Sequence, residues 1–310
     1  MANDSAPPPS ELFQPVKDRY GNRLALVFGN EFKDGKCPFY QKQCSHCDIG
    51  AGEGTQFTTA MNTERLRFFR TYYASVLPTL NHLVVYNSGS VLNPKEMARE
   101  TLGDILGYAA SLDQCTTVSF DSREAFATKG NIDYLVAGLR QNQQARVILG
   151  LETQDDEIRM GKLKKRMTKE SIEKVFETIG SYQGKVGLDI NFVFQPPEIV
   201  GEEAIRESVR TVDYCLDLAK KYKVPLDFNF HPYYPSKKSK GMFPHHPRAS
   251  VENTKKALLA MKEKIDERKS DAKIFIGWQD EEHDQEQRER KTELEQVMKD
   301  FERFNLTQKF

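Results

Sequence analysis

Three of the five cysteines fall within one short stretch, Lys36-Cys37-Pro38-Phe39-Tyr40-Gln41-Lys42-Gln43-Cys44-Ser45-His46-Cys47-Asp48, with the spacing C-x6-C-x2-C. The C-x2-C half sets two thiolates about one turn apart. Three thiolates in one loop can hold three irons of a [4Fe–4S] cube and leave the fourth iron without a protein ligand. An open metal position is where substrate chemistry occurs, as at catalytic zinc. A structural zinc site would need a fourth ligand. His46 adjoins Cys47, so ligation of one ion by both is strained, but His82, His231, His245, His246 and His283 are available at a distance. A loop without metal is the third alternative. Cys115 and Cys215 stand singly, near a strand start and inside an apolar helical pattern, and read as small buried hydrophobes.

These side chains need a scaffold to hold them, and the rest of the chain supplies a repeating one. Apolar, β-branched runs at Leu24–Phe28, Leu83–Tyr86, Thr117–Phe120, Val147–Leu151, Val186–Phe194 and Leu226–Phe230 read as strands. Helical patterns near Met61–Leu77, Pro94–Leu112, Asn131–Gln143, Lys169–Ile179, Glu202–Tyr222 and Val251–Lys264 alternate with them. Asn93-Pro94 and Thr168 supply helix start signals. Strands apolar on both faces and separated by helices imply a parallel sheet with helical crossovers, either an α/β barrel or a doubly wound open sheet. The segment from Gly29 to Ala60 has no regular pattern, and loops of that length in compact domains are usually functional. It follows the first strand and carries the three clustered cysteines. In an α/β barrel, loops at the C-terminal strand ends build the active site. Ile274–Trp278 reads as a further strand. Asp280–Phe304 reads as a charged helix whose Leu294, Val297, Met298 and Phe301 share one face packed on the barrel. The expected organisation is a flexible arm over 1–20, a barrel over 21–270, and a C-terminal strand and helix over 271–310.

Composition bounds the function. The 310 residues carry 45 basic and 45 acidic side chains, so the net charge is zero and no broad basic field for nonspecific nucleic-acid binding exists. No apolar run reaches the ~20 residues of a membrane span. The polar, Pro-rich start lacks a secretory pattern, and five cysteines do not make a disulfide framework. A reducing, cytoplasmic setting is expected.

The cysteine loop after the first strand of a six-unit α/β chain resembles the radical S-adenosylmethionine (radical SAM) superfamily, although the common spacing there is C-x3-C-x2-C. Later segments narrow the resemblance: Tyr86-Asn87-Ser88-Gly89-Ser90, Val118-Ser119-Phe120-Asp121-Ser122-Arg123, Gly150-Leu151-Glu152-Thr153, and Phe194-Gln195-Pro196-Pro197 followed by Glu202-Glu203-Ala204-Ile205. They resemble the branch of the Elongator catalytic subunit and the radical SAM subunit of archaeosine synthase, more the second, which also has a widened first cysteine gap. The resemblance covers about residues 22–265. It implies a partial (β/α)6 TIM-type barrel with a C-terminal helical extension. It further implies a [4Fe–4S] cluster on Cys37, Cys44 and Cys47, with SAM chelating the open iron and cleaved reductively to a 5′-deoxyadenosyl radical.

By the same resemblance, His46 takes a place near the adenine, or hydrogen-bonds the loop backbone. Asn87, Ser88, Gly89 and Ser90 form the turn that meets the SAM amino group. Asp121 would accept from the SAM ammonium and Arg123 would bind a carboxylate, the alternative being an ion pair between structural groups at a strand end. Glu152 would bind the ribose hydroxyls and Lys165 the methionine carboxylate. Arg166 stands where a glycine is usual, which puts the local turn in question; Lys162, Lys164, Lys165 and Arg166 could otherwise form a solvated face. Candidate substrate residues are Asp48 and Glu53 in the glycine-rich Asp48–Gly54 segment, and His231, Tyr233 and Tyr234 after the sixth strand. Size and neutrality favour a small-molecule substrate; the resemblance leaves a tRNA nucleoside open, and a non-catalytic iron–sulfur or zinc protein is the reading from another class. An external electron donor of flavodoxin or ferredoxin type is implied as partner, and no catalytic protein residue is assigned.

Overall fold

The computed structural model describes residues 12–40, 44–47, 49–235, 237–277 and 291–310. Its strands run in chain order through one sheet: β1 (Val16–Asp18), β2 (Gly21–Phe28), β3 (His82–Asn87), β4 (Thr117–Ser122), β5 (Gln144–Glu152), β6 (Val186–Phe194), β7 (Leu226–Pro232) and β8 (Ile274–Ile276). From β2 onward all neighbours are parallel. The sheet curls into a nearly closed barrel, a partial TIM-type architecture. The parallel strands are buried almost without interruption, because helices cover the outer face and the inner face lines the barrel.

The crossover helices are α1 (Thr59–Tyr72), α2 (Arg99–Ala110), α3 (Lys129–Gly138), α4 (Lys169–Gly180), α5 (Gly201–Tyr222), the short α6 (Lys237–Met242) and α7 (Val251–Glu267). The Thr168 start signal holds: its hydroxyl accepts from the Ser171 N–H at 3.2 Å. The Asn93-Pro94 signal does not open a helix. Residues 94–98 form turns and α2 begins at Arg99, because Glu96 is drawn backward to accept from the Ser90 N–H at 3.0 Å.

Part of the segment expected as a loose arm is ordered into the sheet. Residues 1–11 lie outside the described residues, but β1 forms an antiparallel hairpin with β2, Val16 opposite Arg23. At the other end β8 covers Ile274–Ile276, and Trp278 and residues 280–290 lie outside the described residues, as does the side chain of Leu294. Helix α8 (Lys291–Thr307) packs against both β1 and β8, so it spans the seam between the first and last strands. Its own Phe301 and Phe304 are buried. Asn305 and Gln308 pair with the free edge of β8. Asn305 Oδ1 accepts from Ile276 N at 2.7 Å while its Nδ2 donates to Ile276 O at 3.2 Å. Gln308 Oε1 accepts from Ile274 N at 2.8 Å while its Nε2 donates to Ile274 O at 2.9 Å. Two side-chain amides thus do what a ninth strand would do for exposed edge groups. Among the described residues no helix is long and apolar enough to cross a membrane.

Candidate active site

A cavity of about 370 Å³ runs through the barrel, and most of the residues singled out from the sequence meet there. Cys37, Cys44 and Cys47 line it beside His46, Asn87, Ser88, Gly89, Ser90, Asp121, Arg123, Glu152 and Lys165 at the C-terminal strand ends. His231, Tyr233 and Tyr234 line it from the end of β7. Glu53 does not. Its carboxylate is gripped at 2.6 and 2.8 Å by both terminal nitrogens of Arg65, whose side chain is fully buried under Phe57. Asp48 lies outside the described residues.

The cysteine loop is held by its own backbone and by the β5–α4 connection. Cys37 N–H donates to Gly50 O at 3.0 Å, Cys47 N–H to Cys44 O at 3.1 Å, and Ser45 N–H to Leu163 O at 3.1 Å. Gly50 packs so closely that a Cβ there would sit 3.2 Å from Cys37 Cβ. Each sulfur has a donor near it: the Phe39 N–H at Cys37, the Gly50 N–H at Cys47, and Arg123 Nη1 at 3.7 Å from Cys44 Sγ. Burial pushes the Cys37 thiol up to about 12 and the Cys47 thiol up to about 11. Thiolates here need a positive partner, and an iron–sulfur cube fits that need. Among the described residues, no three His, Cys, Asp or Glu side chains converge on a single ion. Cys115 and Cys215 are fully buried elsewhere.

Glu152 and Lys165 face each other at 2.6 Å, and both are buried. The register of β5 against β6 slips between Gly150 and Glu152, and Glu152 takes φ 70°. This bulge turns the carboxylate toward the cavity. Gly150 leaves the space: a Cβ there would lie 2.8 Å from Lys165 Nζ. Burial opposes ionisation of Glu152, but Lys165 and His46 outweigh it and hold the carboxyl down at about 2. His46 Nε2 stands 3.7 Å from Glu152 Oε1. Burial works against the Lys165 ammonium too, yet Glu152 and Cys44 raise its pKa above the ordinary lysine range. Lys165 reaches this place through a π-helical turn over Glu157–Lys162, pinned by the buried Arg159, which donates to Met167 O at 2.8 Å and Thr153 O at 2.9 Å. Arg166, standing where a glycine was expected, keeps the left-handed turn at φ 53°. The turn survives with a side chain in a backbone region that favours glycine.

The Asn87–Ser90 turn wraps a residue that motif reading passed over. Glu96, fully buried, accepts from the Ser90 N–H and from the side chains of Asn93 and Asn30. A Cβ on Gly89 would fall 1.7 Å from Glu96 Oε2, so only glycine fits. The serine hydroxyls serve the scaffold: Ser88 donates to Gly35 O at 3.2 Å and Ser90 accepts from Arg123 N at 3.2 Å. Asp121 and Arg123 form no ion pair. Arg123 instead stacks on Phe39 at 4.0 Å, donates to Lys165 O and reaches Cys44. Asp121 faces the cavity, and burial raises its carboxyl to about 7, with Lys165 opposing the shift and Glu152 and Glu96 adding to it. No sequence signal marked Glu96; its position two residues after the Asn93-Pro94 pair read as part of a helix.

No family model matches the chain. Over 134 residues, 43% of this chain and 36% of the relative, it is 26% identical to an uncharacterized protein of Methanocaldococcus jannaschii. Over 142 residues, 46% of this chain and 40% of the relative, it is 25% identical to archaeosine synthase subunit beta of Methanosarcina acetivorans. Among solved structures, Streptococcus suis SuiB bound to S-adenosylmethionine matches with a TM-score of 0.55 over 82% of this chain and 50% of SuiB, at 12% identity. The radical S-adenosylmethionine methyltransferase TsrM from Kitasatospora setae gives a TM-score of 0.43 over 68% of this chain and 36% of its own, at 17% identity. The fold is therefore that of SuiB, and over less than half of its length the sequence resembles archaeosine synthase subunit beta. The chain spans two fifths or less of the length of these curated relatives.

Proposed function

We propose that the protein is a radical SAM enzyme acting on a small-molecule substrate. The observation that carries this reading is the meeting, in one barrel cavity, of the three loop cysteines with the buried Glu152–Lys165 pair. Cys37, Cys44 and Cys47 would hold three irons of a [4Fe–4S] cluster. When bound, cluster and SAM supply a one-electron cleavage that yields methionine and a 5′-deoxyadenosyl radical able to take a hydrogen atom from a substrate. The chain's own residues bind and orient. Asp121 would accept from the SAM ammonium, Lys165 and Arg123 would face its carboxylate, and Glu152 would accept from ribose hydroxyls. His46 and the Asn87–Ser90 turn complete that wall. His231, Tyr233 and Tyr234 would border the substrate, and the apolar barrel interior would exclude water from a reactive intermediate. An external donor of flavodoxin or ferredoxin type would deliver the electron, in a cytoplasmic setting.

A tRNA nucleoside is the second reading, favoured by the likeness to archaeosine synthase subunit beta. The zero net charge and a cavity of about 370 Å³ support the small molecule. The test is anaerobic reconstitution with iron and sulfide, dithionite reduction, addition of SAM and chromatography for 5′-deoxyadenosine. The expected product depends on Cys37, Cys44 and Cys47 and survives Cys115→Ala and Cys215→Ala. A chain that takes up zinc and no cluster, or loses its cluster on Cys115→Ala, overturns the proposal.

A further inference from the structure

At the opposite end of the cavity from the cysteines, one arginine is left over from a buried ionic network. The N-terminal ends of the barrel strands bring together Asp18, Arg19, Tyr20, Arg23, His82, Ser119, Arg146, Asp189 and Asp227, and each carboxylate there has close partners. Asp18 Oδ2 lies 2.6 Å from His82 Nδ1, and its Oδ1 accepts from Tyr20 N at 2.8 Å. Asp189 accepts from Arg146 Nε at 2.7 Å and Ser119 Oγ at 2.8 Å. Asp227 accepts from Arg19 Nη1 at 2.5 Å, Tyr20 OH at 2.6 Å and Lys273 N at 2.8 Å.

Arg23 is only 8% exposed and lines the cavity. Its one ion pair among the described residues is long, 3.7 Å from Nε to an Asp18 oxygen already taken by His82. Among the described residues its guanidinium makes no hydrogen bond. Its Cζ stands 4.1 Å from the centroid of the Phe275 ring, a cation–π contact that uses none of its N–H groups. Its nitrogens are not sealed in the protein but open onto the cavity, where a ligand can take up their unused N–H donors.

We infer that Arg23 is a substrate-anchoring residue that binds a carboxylate at the floor of the cavity. A single planar fork of two N–H donors matches a carboxylate, whereas a phosphate dianion would call for more than one cation. Between this floor and the cysteine end Ala25, Val27, Val193, Ile276 and Phe301 make most of the wall apolar, with Asn191 and Asn305 as polar points along it. Arg23, Ala25 and Val27 alternate along the inward face of β2, a run of about 13 Å. The ligand that fits is an apolar carbon chain or ring with a terminal carboxylate. Its anion is held at the floor, and its far carbon points toward the cysteine end. This inference rests on the cavity being the reaction chamber of the proposed enzyme, but its test uses neither the cluster nor SAM cleavage.

The test is calorimetric titration of the full chain with hexanoate and with the neutral isostere hexanamide. Hexanoate should bind about ten- to a hundredfold more tightly. Arg23→Gln should erase the preference at an unchanged thermal midpoint, and Arg23→Lys, which keeps the charge without the planar fork, should retain part of it. Saturating SAM should leave hexanoate binding intact. Equal binding of acid and amide, absence of binding by both, or an acid preference that SAM removes and Arg23→Gln spares would each overturn the assignment. The last would place the carboxylate at Lys165 and Arg123. A failed search for 5′-deoxyadenosine leaves this result unaffected.

Discussion

Glu152 and Lys165 show how much a single buried pair can be asked to do. Each is held ionised by the other in a place that water would otherwise have to fill, so removing one partner strands the other. Lys165→Met should destabilise the fold by about 3–5 kcal/mol in chemical denaturation, whereas a solvated lysine would change it little. The pH dependence has a defined sign. The Glu152 carboxyl falls from 4.5 to about 2 on folding, so its contribution is complete above pH 4.5 and is lost as pH falls toward 2. Asp121 behaves in the opposite sense, since folding raises its carboxyl from 3.8 to about 7. Stability should decline as pH rises through that window, and Asp121→Asn should be more stabilising at pH 8 than at pH 5. An equal effect at both pH values would mean that the Asp121 carboxyl is not held up by burial. Gly89→Ala drives a methyl group into the Glu96 carboxylate and should cost about 1–3 kcal/mol, seen as a lowered denaturation midpoint.

At the scale of elements, the seam is closed by side chains standing in for backbone. Asn305 in the last turn of α8 and Gln308, one residue past its end at φ 58°, both turn their amides to the same edge of β8. Replacing either with Leu keeps apolar packing and strips the partners from two backbone groups. Each change should cost about 1–3 kcal/mol. Hydrogen exchange at the Ile274 and Ile276 amides should accelerate beyond the rest of the sheet, which separates local edge opening from global destabilisation. The charged, amphipathic pattern at the C-terminus did read as a helix packed on the barrel. Its pairing with a strand edge was not legible there, because amides bond equally well to water and only the neighbouring edge selects this use. The same limit applies at α2, where helical periodicity near Pro94 was real but Glu96 found better acceptor geometry in the Asn87–Ser90 turn.

Across the whole molecule the architecture sorts chemistry along the barrel axis: thiols and the Glu152–Lys165 pair at the C-terminal strand ends, a mostly apolar middle, and an ionic floor with Arg23 at the other end. Local sequence determined a good deal of this. Alternation of apolar runs with helical patterns implied strand–helix units in a parallel sheet, and β6 occupies the residues read for it, Val186–Phe194. Cysteine spacing implied a shared ligand loop, and the ordered motifs after successive strands marked the residues that meet at the cavity mouth. Those features are legible because they depend on neighbours a few residues away and on strand order. Other features were decided only when the sheet curled. Glu53 lies beside the cysteine loop in sequence, yet pairs with Arg65 outside the cavity. Glu96 became the support of a turn, Gly150 the space for an ammonium, and Arg23 a cation whose carboxylate partner among the described residues, Asp18, stands 3.7 Å away. The physical reason is that a charge's role depends on which opposite charges and open spaces reach it. In a barrel those come from strands separated by tens to hundreds of residues, as with Arg23, Asp18, His82 and Phe275 around one floor.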